Sequence, residues 1–394
     1  LLRSGKAVSC YTPGMGGIAE AIMKMCFGNG FGFSFDNALS LQDLFCTHYG
    51  AFLLETAEDI PGTVPVGTVT AEPIFRYAEE TLDETEILKL YEDKLESVYS
   101  CNICQADTPV ENFTYPVNKW PAPAIKTAKP KVLIPAFPGT NCEYDSAKAM
   151  EDAGAAAKIM VMNNLTPEGI ARSVDAFSKE LSDAQMIFIP GGFSGGDEPD
   201  GSGKFITAFF RNDAVKEGVT ALLDRRDGLM CGICNGFQAL IKLGLVPYGK
   251  IMDTDETCPT LTFNTIARHQ SRIVRTRIAS NKSPWLALTQ VGDIYNVPIS
   301  HGEGKFLAEE SLIKQLAENG QIATQYVDSK GNATSDIHFN PNGSLYAVEG
   351  ITSPDGRVFG KMGHSERTGS GLYKNVPGNY DIKMFAAAVK YLKG

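Results

Sequence analysis

The sequence predicts an α/β protein: a doubly wound, mostly parallel sheet preceded by a partial α+β domain. Three observations predict it. From residue 131 to residue 244, short apolar runs alternate strictly with helical patterns. Small, sharply turning residues stand where those runs end, at Gly191-Gly192 and at Gly232-Ile233-Cys234-Asn235-Gly236. Before residue 131 the texture differs, with few strand patterns and then a Pro-rich passage.

A length of 394 residues sets a prior of roughly two to three domains. A hydrophobic fraction of 43% is enough to bury large cores. The net charge of −10 argues against nonspecific binding to nucleic acid or to an anionic membrane. No apolar run is long enough to span a bilayer, and no signal-peptide pattern is present. Nine cysteines, an odd number in a long chain, fit the reduced thiols of a cytoplasmic protein better than a disulfide framework. The chain opens Leu1-Leu2-Arg3 without Met, which reads as a fragment or a processed product.

Residues 1–75 read as the tail of a larger domain. A Gly-rich turn, Gly14-Met15-Gly16-Gly17, opens a helix over 18–27 that ends at Gly28-Asn29-Gly30. Residues 31–35 alternate like a strand, and 51–55 form another. The turn lacks a Lys-Ser/Thr pair and no clear strand precedes it, so it reads as helix-start packing rather than a phosphate loop. About 75 residues with few strands is small for an independent core. Residues 76–128 read as a connector. A charged helix over 81–98 carries Leu82, Leu88, Tyr91 and Leu95 on its apolar stripe. Cys101 and Cys104 follow, then an extended passage through Pro116, Pro121, Pro123 and Pro130. A closed zinc site needs four ligands, so the two cysteines read as free thiols.

From residue 131 to 394 the chain reads as one α/β domain. Strands are expected at 132–137, 157–162, 186–190 and 229–233, with helices at 141–154, 167–180 and 203–224 between them. Pro167 suits the first position of its helix. Sites in such sheets lie at the carboxyl ends of strands, where Gly191-Gly192 and Cys234 fall. Residues 258–362 turn strand-rich, with candidates at 260–263, 272–278, 295–299, 322–327, 345–351 and 358–362; a helix over 381–392 closes the chain.

The chemistry centres on Cys234. Gly232-x-Cys234-x-Gly236 is the thiol form of a nucleophile elbow, a strand-to-helix turn that strains the nucleophile's backbone and demands small neighbours. The turn also sets the sulfur at a helix N-terminus. A thiol nucleophile needs a base, and the base needs an orienter. Of five histidines, His364 follows a strand directly and carries Glu366 two residues on, on the same side of extended chain. The expected triad is Cys234, His364 and Glu366. The backbone N–H of Asn235 is placed to hold an oxyanion, and the Gly191-Gly192-Phe193 turn offers a second donor or an ordinary strand end. Cys231-Gly232-Ile233-Cys234 also matches a redox C-x-x-C spacing, but Cys231 would lie inside the strand. The same spacing suits a papain-like peptidase less well, because here the cysteine is mid-chain and Asn235 follows it.

Five stretches together carry a resemblance: Pro138-Gly139-Thr140-Asn141; Pro190-Gly191-Gly192-Phe193-Ser194-Gly195-Gly196-Asp197; Gly232-Ile233-Cys234-Asn235-Gly236-Phe237-Gln238; Pro298-Ile299-Ser300-His301-Gly302-Glu303-Gly304-Lys305; and Asn340-Pro341-Asn342-Gly343-Ser344. Residues 131–394 resemble the class I (triad) glutamine amidotransferases, which are flavodoxin-like, and more narrowly the glutaminase domains of phosphoribosylformylglycinamidine synthases. Residues 1–75 resemble the end of the synthetase domain in the same large chains. The resemblance implies Cys234 as nucleophile, His364 as base and Glu366 as its orienter. Gly192 and Phe193 would border the oxyanion hole, Gln238 would help hold glutamine, and His301 and Glu303 would lie near it. It implies no cofactor or metal in this part of the chain, with ATP and Mg in the synthetase half, and partners limited to glutamine and that half. The implied reaction hydrolyses glutamine through a thioester, and its ammonia amidates formylglycinamide ribonucleotide. Two departures stand out: the commoner pattern His-Pro-Glu reads His364-Ser365-Glu366 here, and His269 stands where many relatives have Asn. A γ-glutamyl hydrolase or peptidase, or a silent docking module, are the other readings of the same residues.

Overall fold

The computed structural model describes residues 1–100, 103, 108–193, 203–374 and 376–394; Cys101, Cys104 and the Ser194–Asp197 part of the second motif lie outside them. The chain divides into two compact units, Leu1–Ile103 and Cys104–Gly394.

The first unit runs β1 (Ala7–Tyr11), α1 (Gly17–Phe27), β2 (Gly32–Phe35), α2 (Leu41–Phe45), β3 (Leu53–Thr56), β4 (Gly67–Thr70), β5 (Ile74–Tyr77), β6 (Glu80–Asp83) and α3 (Glu84–Glu92). β1 pairs with β3, and a four-stranded sheet has the order β4-β2-β5-β6. Its core is small: Ala21, Ile22, Cys26, Phe33, Leu53 and Phe75. A strand does precede the Gly-rich turn, contrary to expectation. The turn still suits no phosphate, because the Glu20 carboxylate accepts the Gly16 N–H at 2.9 Å and puts a negative charge where an anion would sit. The helix expected over 81–98 starts later. Residues 80–83 pair with β5, and Asp83 then caps α3 by accepting from the N–H groups of Thr85 and Glu86.

Residues 108–130 run along the second unit and are tied to it: the Val117 N–H donates to Asn281 Oδ1 at 2.7 Å and the Trp120 indole to the Asn281 carbonyl at 3.0 Å. The elements that follow are β7 (Lys131–Ala136), α4 (Glu143–Asp152), β8 (Ala156–Val161), α5 (Pro167–Leu181), β9 (Met186–Ile189), α6 (Lys204–Phe210), α7 (Asp213–Thr220), β10 (Leu229–Ile233) and α8 (Asn235–Lys242). Then come α9 (Leu245–Tyr248), β11 (Thr260–Phe263), β12 (Gln270–Ile278), β13 (Ile294–His301), β14 (Glu303–Leu307), α10 (Glu310–Glu318), β15 (Ile322–Tyr326), β16 (Val348–Thr352), β17 (Val358–Lys361) and α11 (Met384–Lys393).

Nine of these strands form one sheet, ordered β13-β12-β15-β16-β17-β10-β9-β7-β8. From β8 to β17 every neighbouring pair is parallel. Beyond β17 the neighbours are antiparallel, so only β16 and β12 run against the rest. β9 and β10 are buried at every position, as continuous apolar runs in a two-sided sheet must be. The chain moves outward from β7 to β8 and then returns to β9 on the other side. Such a reversal, at the carboxyl ends of β7 and β9, is the usual place for a ligand in sheets of this kind. Thr166 caps α5 and Pro167 opens it, as the sequence suggests. The single helix expected over 203–224 is broken at Asn212, whose side chain caps α7. β14 and α10 escape the sequence reading. Glu303-Gly304-Lys305-Phe306-Leu307 looks like a loop locally and becomes a strand by pairing with β11.

Candidate active site

Cys234 directly follows β10 and caps α8 with φ 54° and ψ −107°, a conformation disfavoured for a residue with a side chain. The glycines beside it are dictated by packing. A Cβ on Gly236 would lie 2.1 Å from the Ile189 carbonyl oxygen, and one on Gly232 would lie 2.6 Å from the Gly236 backbone. The bend is pinned from β17, where the Lys361 carbonyl accepts the Cys234 N–H at 2.9 Å. The thiol is only 4% exposed and donates to the Ser300 carbonyl at 3.6 Å. Burial, then the nearby Cys142 and Glu366, push its pKa well above the ordinary thiol range; the Asn235 N–H and Arg367 pull the other way. The resting Cys234 is therefore a neutral thiol, which could attack only with the help of a base.

His364 follows β17 and is 1% exposed. Its Nδ1 lies 2.6 Å from Glu366 Oε1. Its Nε2 is buried and has no hydrogen-bond partner among the described residues. Burial works to raise the Glu366 pKa, but the adjacent His364 and its hydrogen bond outweigh it and hold the carboxylate below its usual range. Gly191 brings the two halves together. A Cβ there would lie 2.7 Å from His364 Cε1 and 3.4 Å from both Cys234 Cβ and Cys142 Sγ, so Cys234, His364 and Cys142 all face one glycine.

Beside that glycine, Gly192 has φ 145°, and the 191–193 turn is tied to residues 139–141. The Phe193 N–H donates to the Gly139 carbonyl at 2.8 Å, so this amide is already engaged. The Gly192 N–H takes no part in that bridge. The Asn235 N–H points at the Cys234 sulfur from the first residue of α8. Gln238 is pinned rather than free: it accepts from Asn235 Nδ2 at 2.9 Å and donates to the Glu303 carbonyl. His301 and Glu303 are both buried at the end of β13 and the start of β14, on the side of the sulfur where Ser300 lies. Burial, then the charges of His364 and His269, drive the His301 pKa down to about 3. Its imidazole is therefore neutral at physiological pH, with Nε2 3.3 Å from Asn342 Nδ2.

Four residues here were not singled out from the sequence. Cys142, fully buried at the N-cap of α4, has its sulfur 3.8 Å from His364 Nδ1. Arg367 donates to that sulfur at 2.9 Å. Their only signal was position: Cys142 directly follows the first motif, and Arg367 directly follows Glu366. Lys361 and Glu349 form a fully buried ion pair against the turn that carries His364. His269, given no role, sits exposed with Nε2 3.1 Å from Ser300 Oγ. Donor atoms of Cys142, His364 and Glu366 fall within 4.8 Å of one another. The Arg367 guanidinium occupies that sulfur, so a metal cation would meet a positive charge there. Cys231 is buried inside β10 with its pKa also well raised by burial, which leaves no exposed C-x-x-C pair at 231–234 for redox exchange. Among the described residues no helix is long and apolar enough to cross a membrane.

A family model described as a CobB/CobQ-like glutamine amidotransferase domain matches residues 129–392. The chain belongs to this family. Among curated relatives of this amidotransferase, the phosphoribosylformylglycinamidine synthase subunit PurQ of Methanococcus maripaludis is 37% identical over 257 residues, covering 64% of this chain and 87% of the relative. The subunit of the same name from Dehalococcoides mccartyi is 32% identical over 279 residues, covering 68% and 99%. The PurLQS structure from Thermotoga maritima aligns at 25% identity and TM-score 0.48, covering 67% of this chain and all of that one. The amidotransferase is thus PurQ-like.

Proposed function

We propose that Cys234, His364 and Glu366 are the groups through which this glutamine amidotransferase hydrolyses glutamine to glutamate and ammonia for the phosphoribosylformylglycinamidine synthase reaction. One observation carries the assignment. His364 Nδ1 is engaged by Glu366 while its buried Nε2 is unengaged, and the ring's Cε1 and the Cys234 Cβ both face Gly191. A ring oriented at one nitrogen and open at the other is what a general base requires.

The neutral thiol gives its proton to His364 Nε2 as the sulfur attacks the side-chain amide carbon of glutamine, and the amide oxygen takes up the negative charge. The N–H groups of Asn235 and Gly192 are the proposed donors to that oxygen. Phe193 becomes a third only if its amide leaves the Gly139 carbonyl. His364 returns its proton to the departing nitrogen and ammonia leaves. Water, deprotonated by the same imidazole, then opens the thioester and releases glutamate. The Ser300 carbonyl that accepts from the thiol must give way to substrate. His301, Glu303 and the Gln238-bound start of β14 form the proposed wall of the glutamine pocket. Ammonia is used by a synthetase half, to which ATP and Mg belong; residues 1–75 are proposed as part of that half and 76–128 as its connector to the 131–394 glutaminase. The compartment that fits is the cytoplasm.

The test is intact mass and peptide mapping after incubation with a diazo-ketone glutamine analogue. A single adduct on Cys234, blocked by glutamine and lost in Cys234→Ala, is expected. An adduct on Cys142 instead would transfer the nucleophile's role to that residue.

A further inference from the structure

His364 and Glu366 are separated by Ser365 in a turn that no regular element supports. The support comes from below. Lys361 closes β17 and is 0% exposed. Its Nζ donates to the Gly363 carbonyl at 2.9 Å and to Ser365 Oγ at 3.0 Å, and lies 3.2 Å from Glu349 Oε1. Those three partners match the three donors of an ammonium. Glu349, also 0% exposed, sits on the neighbouring β16. Its Oε1 accepts the Gly363 N–H at 2.6 Å, and its Oε2 accepts from Thr324 Oγ1. Two of the three ammonium bonds and one carboxylate bond therefore end on residues 363 and 365, which flank the imidazole. The Lys361 main chain meanwhile holds the Cys234 N–H.

A buried ion pair is a poor way to gain stability, since its desolvation cost commonly equals its Coulombic gain and apolar residues of similar volume do as well. Here its hydrogen bonds converge on one short turn. We propose that Lys361, charge-balanced by Glu349, is a positioning residue for the base. Through Gly363 and Ser365 it fixes the His364 ring, and through its carbonyl it fixes the elbow, so one residue sets the spacing of both reacting groups. The proposal rests on the triad reading above.

The test uses the full chain with its synthetase partner. Removing Lys361 alone would strand Glu349, so the informative variant is the neutral pair Lys361→Met with Glu349→Gln, which keeps an acceptor for the Gly363 N–H. Its melting temperature should stay near that of the parent. Its kcat for glutamine hydrolysis should fall at least about tenfold, with KM within about twofold, as expected when only transition-state geometry is lost. The downfield proton resonance of the His364–Glu366 hydrogen bond should shift or broaden. Ser365→Ala, which removes one acceptor, should give a smaller kcat loss of about threefold. A neutral pair with parental kcat and an unmoved resonance overturns the proposal. Should that pair fail to fold, Ser365→Ala decides: parental kcat there overturns it equally. Cys234→Ala is the separate control, because undiminished hydrolysis in that variant would remove the triad itself and not merely its positioning.

Discussion

Cys234 and His301 have protonation states set by burial rather than by residue type. For Cys234, burial and the adjacent Cys142 and Glu366 disfavour the thiolate, so its reactive fraction should keep rising with pH. Mapped alkylation of Cys234 by iodoacetamide should climb steadily from pH 7 to about 9.5, a range set by the ordinary thiol value. A rate already at plateau near pH 6 would mean a preformed thiolate–imidazolium pair instead. For His301 the folded pKa of about 3 lies below the unfolded value. Protonation therefore favours the unfolded chain. The contribution is complete above the unfolded pKa of about 6.5 and is lost as pH falls towards 3. The urea midpoint should drop more between pH 7 and pH 5 in the parent than in His301→Gln; equal drops would show that His301 titrates normally.

The elbow and its supporting strands were written in local sequence, because each glycine marks a close approach. Gly236→Ala would push a methyl into the Ile189 carbonyl and Gly360→Ala one into the Phe237 ring, 2.1 Å away in both cases. Each should destabilise the second unit by about 1–3 kcal/mol or more, measured by denaturant melts. A change under about 0.5 kcal/mol would mean that the helix can move off the sheet. Elements without such marks were missed. β1 is five residues of mixed polarity, and β14 carries charge and glycine, so only pairing with distant partners makes either a strand. The break between α6 and α7 is set by Asn212 acting as a cap, a signal a long helical pattern conceals.

At the scale of the whole molecule, the thiol is turned to the Ser300 carbonyl and the Phe193 amide to Gly139, which on the proposed mechanism is a resting arrangement. Glutamate release should therefore be slow for this chain alone and rise at least about tenfold when the synthetase partner and its substrates are supplied, the size of one catalytic contact restored. Release that stays flat while Cys234 still takes no label would favour a silent docking module. Release undiminished by Cys234→Ala would place the activity elsewhere.

The sequence by itself determined the alternation of strands and helices from residue 131, and with it the position of Gly191-Gly192 and Cys234 at the strand ends, because side-chain periodicity and small-residue corners are local properties. It also singled out Cys234, His364 and Glu366, since an elbow and an i, i+2 pair can be recognised within a few residues. The tertiary structure alone decided that Cys142 stands against the imidazole with Arg367 on its sulfur, and that Lys361 and Glu349 support the turn that carries His364. It also decided that Gln238 is held by the chain and that Phe193 is already hydrogen-bonded. These relations join positions separated by tens to hundreds of residues. Their energies come from burial and from the partners each polar group finds there, which no stretch of sequence carries alone.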